Sequence, residues 1–394
     1  MDGNKFSYEW IETLPRLEGA ARILGQAKVI GVDLEADSLY HYFEKVCLIQ
    51  IATEVASYVI DPLALRDLSA LHPVFCDPRI RKVLHGADYD IRSLYRDFQL
   101  EIENLFDTQV ACKFLGLRES GLEALLRSRF HVELNKKYQR ADWSQRPLSP
   151  EMVEYAAMDG MYLIPLARML EKELEEKSRL SWVEEECLFL TKVRFTPPNH
   201  APLYLKVKGA FLLDPRSLVV LEALLEFREA QAQKSDLPPF KVLRNEPLLE
   251  LATKKPLRRE ELETEKVLSR KQIDRYGTRL LHEIHRAMAI PDEDLPVYPR
   301  EAKQNLSSPV RKRVKALKKW RDMRAKNLGM EPGILLNNAL VNGLALKNPR
   351  SIKEMEEIPG LKRWLQDHFG REILEAPGPG LAIINSVKQE RCHP

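Results

Sequence analysis

The chain has 394 residues, enough for two or three domains that each bury a core of their own. With 44% hydrophobic and 30% charged residues it has a globular composition and not a disordered one. The net charge is only +3, so the total says little about nucleic acid and the distribution of charge has to decide. The five cysteines (Cys47, Cys76, Cys112, Cys187, Cys392) are odd in number and scattered, with no Cys-x-x-Cys pair. They suggest neither a disulfide framework nor a structural zinc site, and they fit a reducing cytoplasm. Met1–Trp10 is polar and carries no signal-peptide core, and no apolar run approaches a membrane span.

The first half alternates strand and helix patterns. Lys28–Glu35 (KVIGVDLE) is predicted as a buried first strand, followed by Val46–Thr53 and Ala56–Ile60 joined by a turn at Glu54–Val55. Arg81–His85 gives a fourth strand. A helix is predicted over about Tyr89–Phe98, with Ile91, Leu94, Tyr95 and Phe98 on one face, and another begins near Asp107. A third is predicted from Ser120, where Ser120 and Glu123 have capping-box spacing. Ser149-Pro150-Glu151 is a helix start, and that helix is expected to run through Tyr155 and Asp159 towards Glu176. Strands mixed with helices in this way imply an α/β domain with a mixed sheet.

Composition breaks at Thr196–Pro202, and beyond it helical periodicity dominates. This region repeats at a constant offset of 93 residues: Phe227-Arg228 matches Trp320-Arg321, Pro239 matches Pro332, Pro256 matches Pro349, Leu262 matches Met355, and Tyr276-Gly277 matches Phe369-Gly370. The expectation is two copies of one helical module, with Ile290–Ser308 as connector and a loose tail beyond Glu375. The stretch Arg311–Lys326 carries nine basic residues against the single Asp322. It reads either as a solvated helix face or as a phosphate-contacting surface, with Val310, Val314 and Leu317 as its apolar stripe.

The chemistry lies in carboxylates. Asp33 and Glu35 are two apart on a strand, so they point to one face. Burying two like charges side by side costs several kcal/mol unless a positive group neutralises them. A hard divalent cation does this with oxygen ligands, although a lone Asp-x-Glu is common and by itself reads as a solvated strand end. His85-Gly86-Ala87-Asp88-Tyr89-Asp90 places Asp90 in the first turn of the next helix, with Asp88 as a rival. Tyr155 and Asp159, at i and i+4, share a helix face.

In that order, Asp-x-Glu, an acid after His-Gly and Tyr-x-x-x-Asp resemble the three motifs of DEDDy-type 3′→5′ exonucleases. The resemblance extends to the ribonuclease D family through Leu48-Ile49-Gln50-Ile51, Asp61-Pro62-Leu63, Asp107-Thr108-Gln109, Ala141-Asp142-Trp143-Ser144-Gln145-Arg146-Pro147-Leu148 and Glu154–Asp159. The two repeats resemble tandem HRDC modules, so the resemblance covers about residues 15–375. One departure is Ala36, where the family usually has an aromatic that helps place the terminal nucleotide. The resemblance implies a ribonuclease H-like α/β exonuclease domain with a mixed sheet at 1–195, a linker at 196–209 and an all-α HRDC-like domain at 210–290. A second linker at 291–307, a second HRDC-like domain at 308–378 and a tail at 379–394 complete it.

It also implies hydrolysis of RNA from the 3′ end with two divalent ions, Mg²⁺ or Mn²⁺, roughly 3.5–4 Å apart. Asp33 would bridge both ions, Glu35 and Asp159 would complete the site of the attacking water, and Asp90 would support the second ion. Tyr155 would orient that water; a phenol with a pKa near ~10 is a poor base at neutral pH. The expected products are nucleoside 5′-monophosphates and the expected substrates RNA 3′ ends, transfer RNA precursors among them. Arg311, Arg313, Lys315, Lys318 and Lys319 are the candidate RNA contacts. Two rivals stand beside this reading: a DNA 3′→5′ exonuclease, and a non-catalytic RNA-binding scaffold. No G-x-x-x-x-G-K-[ST] phosphate loop is present, which argues against a helicase motor.

Overall fold

A computed structural model describes residues 8–133, 136–197, 201–299 and 306–376, apart from the side chains of residues 136 and 159. The first part runs β1 (Tyr8–Ile11), α1 (Leu14–Leu24), β2 (Val29–Ala36), β3 (Val46–Ala52), β4 (Ser57–Ile60), the single turns α2 (Pro62–Leu65) and α3 (His72–Phe75), β5 (Arg81–Leu84), α4 (Asp88–Phe98) and β6 (Leu105–Asp107). It continues with α5 (Thr108–Leu115), α6 (Leu122–Phe130), α7 (Pro150–Asp159), α8 (Leu163–Glu176) and α9 (Leu180–Leu190). The six strands form one sheet in the order β1-β4-β3-β2-β5-β6. The β2–β3 and β3–β4 pairs are antiparallel, whereas β1–β4, β2–β5 and β5–β6 are parallel. The sheet is therefore mixed, as expected, and its centre is apolar because β3 is buried along its whole length.

Four expectations need correction. The Asp-x-Glu strand is the second and not the first, because Tyr8–Ile11 adds a parallel edge strand from a segment too polar to read as one. Leu105–Asp107 is a further strand, three residues long, immediately before the helix expected near Asp107. No capping box starts α6: its N-cap is Gly121, without a side-chain cap bond, and Glu123 lies 3.7 Å from Arg127 instead. The helix from Pro150 does not continue to Glu176; a 3-10 turn at Gly160–Tyr162 separates α7 from α8. Pro165 explains the break, since its ring excludes an α-helical bond to the carbonyl four residues back.

The helical repeat is plain in the structure. The first copy is α10 (Pro215–Ser235), α11 (Pro239–Val242), α12 (Asn245–Lys254), α13 (Arg259–Glu265) and α14 (Arg270–Met288). The second is α15 (Ser308–Leu328), α16 (Pro332–Leu335), α17 (Asn338–Lys347), α18 (Ile352–Met355) and α19 (Arg363–Glu375), and each helix starts 93 residues after its counterpart. An arginine repeats with it. Arg228 donates to the Leu243 carbonyl and the Asn245 side chain, and Arg321 does the same to Leu336 and Asn338. The expected linkers fall partly, and the tail at 379–394 wholly, outside the described residues.

The two copies meet the α/β part differently. In the second, Trp364 stacks on Trp182 (centroids 4.8 Å apart, planes at 19°) and packs edge-on to Phe114. The Glu185 carboxylate accepts from the Arg363 and Trp364 N–H groups, both at 2.7 Å, and so caps α19 from outside. The first copy is held by Asp236, which accepts from the backbone N–H groups of Tyr42 and Phe43 and bonds His41 at 2.8 Å.

Candidate active site

On β2, alternation puts Gly31, Asp33 and Glu35 on one face. Gly31 must be a glycine: a Cβ there would stand 2.7 Å from the carbonyl oxygen of Gly160. Gly160 in turn rests over Gln50 and Ala52 of β3, which pair in register with Asp33 and Gly31. The end of α7 is thereby set down on the carboxylate face of β2. The Ser149 hydroxyl caps the start of α7 by accepting from the Met152 N–H. Ala156 and Ala157 anchor its middle against Cys47, Leu48 and Val59. The side chain of Asp159 lies outside the described residues; its backbone closes α7 next to Gly160.

Asp90 arrives from the other side of β2. The loop before α4 is shaped by Asp107, which accepts from the N–H groups of Gly86 (2.9 Å), Ala87 (2.8 Å), Gln109 (2.8 Å) and Val110 (3.2 Å). One carboxylate therefore caps α5 and fixes the turn into α4. Gly86 adopts φ +75° in that turn, a conformation that glycine takes without strain. His85 Nδ1 bonds the Thr108 hydroxyl at 2.9 Å. The two rival acids differ in surroundings: Asp88 is engaged by Arg92 at 2.7 Å, whereas Asp90 is influenced by the charge of Asp33.

Electrostatics follow from this packing. Burial pushes the Asp33 carboxyl up to about 6, opposed in part by a hydrogen bond from the Leu34 N–H. Asp90 is pushed well above the usual carboxylate range, first by burial and then by the charges of Asp33 and Asp107. Among the described residues no basic side chain pairs with Asp33 or Asp90. Among the described residues no three His, Cys, Asp or Glu side chains come together as a metal site; Asp33 and Asp90 supply oxygen donors of the kind a hard divalent cation takes, and the Asp159 side chain lies outside that set.

Tyr155 is held by rings. Trp143 stacks on it with centroids 6.2 Å apart and planes at 28°, and Tyr138 lies 5.7 Å away on a tilted plane. The loop carrying Trp143 is tied down by Arg146, which binds both carboxylate oxygens of Asp61 at 2.7 Å and the Cys47 carbonyl at 2.9 Å. Ala36 sits where the β2–β3 register shifts after Glu35. Sequence reasoning gave no role to Gln50, Trp143 or Arg146. Their signals were available: a glutamine inside an otherwise apolar strand, and a tryptophan and an arginine in one polar loop.

The five basic residues expected to meet RNA lie apart from this site, on α15. Arg311, Lys315, Lys318 and Lys319 are exposed, and Leu317 is buried beneath them. Arg313 is half-buried, and its Nε donates to the Ala345 carbonyl at 2.7 Å.

Comparison with known proteins agrees with this architecture. Residues 8–175 match the 3′-5′ exonuclease family model, and residues 217–284 and 310–376 each match the HRDC domain. Ribonuclease D of Desulfotalea psychrophila is 30% identical over 316 residues, covering 78% of this chain and 83% of that protein. The exosome complex exonuclease RRP6 of Saccharomyces cerevisiae is 35% identical over 263 residues, 63% of this chain. The chain spans only 36% of that relative's length, and 19% of the RRP6-like 3 protein of Arabidopsis thaliana. The crystal structure of Escherichia coli RNase D superposes with a TM-score of 0.69 at 26% identity, covering 94% of this chain and 98% of that one. This chain belongs to the ribonuclease D family.

Proposed function

We propose that this protein is a 3′→5′ exoribonuclease which removes nucleoside 5′-monophosphates from RNA 3′ ends, transfer RNA precursors among them. The observation that carries the reading is that the face of β2 bearing Asp33 and Glu35 receives the end of α7, while Asp33 and Asp90 act on each other's charge without a basic partner among the described residues. Asp33, Glu35, Asp90 and Asp159 would hold divalent cations, Mg²⁺ or Mn²⁺, and we read the site as taking two. Bound there, the cations supply Lewis-acid charge to the phosphoryl oxygens and acidify the attacking water.

The chain's own residues do the positioning. Asp107 holds the turn that delivers Asp90, and Arg146 with Asp61 holds the loop that delivers Trp143. The stacked ring of Trp143 restricts Tyr155, so that its phenol can hydrogen-bond and orient the water. We assign catalysis to residues 1–195 and RNA affinity to the modules at 210–290 and 308–378, with the exposed lysines of α15 meeting phosphates. No described helix is long and apolar enough to cross a membrane. Cys47, Cys76, Cys112 and Cys187 are free, which suits the reducing cytoplasm we propose as its location.

The test is digestion of matched RNA and DNA single strands with and without Mg²⁺ or Mn²⁺, comparing wild type with Asp33→Asn and Asp159→Asn. The reading expects metal-dependent loss of RNA 3′ nucleotides by the wild type alone. Degradation that survives both substitutions would overturn the site assignment, and faster degradation of DNA would overturn the substrate.

A further inference from the structure

Gln50 is the one polar residue in the apolar strand β3, Val46–Ala52. It is fully buried, and neither its amide nitrogen nor its amide oxygen has a hydrogen-bond partner. Leaving both ends of a buried amide unpaired is unfavourable, and a leucine or methionine would fill similar space without that cost. Its position removes the puzzle. Gln50 stands directly opposite Asp33 in the antiparallel register. Its Cβ points towards Gly160, 3.8 Å from where a side chain there would begin, and Gly31 on β2 faces the same Gly160 carbonyl. Gln50, Gly31 and Asp33 therefore share one face, and the backbone at Gly160, just after Asp159, lies over the start of the Gln50 side chain.

We propose that Gln50 is a positioning residue for the carboxylate site, whose amide donates to the Asp33 carboxylate when that carboxylate holds a divalent cation. The proposal rests on the reading of Asp33 as a cation ligand. Directly opposed side chains of an antiparallel pair start about 4.5–5.5 Å apart, within reach of a glutamine amide. Gln50 is fully buried, so it is shielded from RNA and acts only through its neighbours. Groups that hydrogen-bond a metal ligand from behind fix its orientation, and losing them typically costs about 10–100-fold in metal affinity.

The experiment is Mn²⁺ binding to the full chain, without RNA, by calorimetry and by the loss of the free-ion electron paramagnetic resonance signal. Wild type, Gln50→Leu, Gln50→Met and Asp33→Asn are compared, with melting in chelator alongside. The proposal expects the two Gln50 variants to bind Mn²⁺ about 10–100-fold more weakly. In chelator they should melt at or above the wild-type temperature, because two unpaired groups have been removed. A packing role alone gives the reverse: a lower melting temperature with unchanged affinity, and that result overturns the proposal. Gln50→Met keeps the unbranched shape, so it serves should Gln50→Leu misfold. If Asp33→Asn loses Mn²⁺ binding while both Gln50 variants keep it, the Gln50 proposal alone fails. If Asp33→Asn itself binds like wild type, the reading of the site fails as well.

Discussion

The carboxylate face of β2 and the seam between Trp182 and Trp364 differ in how they treat their carboxylates. At the seam most contacts are closed within the chain: rings stack, Glu185 caps α19 across the boundary, and Arg179 donates to the carbonyls of Phe114 and Leu328, although the Arg179 Nε and Trp182 Nε1 groups are buried without a partner. On the carboxylate face, Asp33 and Asp90 have no basic partner among the described residues and the Gln50 amide lies unpaired. Both regions leave a few buried N–H groups unpaired, but the seam pairs its carboxylates with donors of the chain, whereas Asp33 and Asp90 have no such basic partner.

That contrast can be broken or sharpened by substitution. The largest effect is expected on activity: Asp33→Asn or Asp90→Asn should lower kcat by on the order of 10³-fold, since cation charge is worth several kcal/mol to the transition state. Single-turnover degradation of a short RNA measures it, and near-wild-type rates would erase the distinction between the two regions. Next comes Trp364→Ala at the seam, which should cost about 3–5 kcal/mol of unfolding free energy, as truncation of a large buried aromatic does. Denaturant melts report it. The companion change Glu185→Ala uncaps two N–H groups and should cost less, about 1–3 kcal/mol.

A smaller effect of opposite sign separates the regions most sharply. In chelator, Asp33→Asn should raise the melting temperature by a few degrees, because it relieves repulsion between two enclosed acids. The same variant should lose the stabilisation that added Mn²⁺ gives the wild type. Smallest is charge reversal of Lys318 and Lys319 on α15. It should weaken binding of a long RNA and flatten its salt dependence while activity on a short RNA survives. Unchanged binding would mean that this face is only solvated.

Much of this was legible in the chain itself. Alternation exposed the pairing of Asp33 with Glu35, and the constant offset announced two modules whose helices keep that spacing throughout. Cap chemistry located the starts of α7 and α5. What stayed hidden depended on contacts far apart in sequence. The close approach of Gly160 to Gly31 sets the end of α7 on β2, and Asp107 shapes a turn some twenty residues earlier. The seam was hidden for the same reason, as nothing local distinguishes Trp182 or Trp364 from core tryptophans. Edge strand β1 has too little apolar patterning to read, and gains its order from pairing with β4.

The most direct measurement follows a 5′-labelled single-stranded RNA through time with Mn²⁺, using wild type and Asp90→Asn. The account predicts a ladder shortened one nucleotide at a time from the 3′ end, with nucleoside 5′-monophosphates released, and an intact strand for Asp90→Asn. Internal cleavage products, or the same ladder from Asp90→Asn, would contradict it.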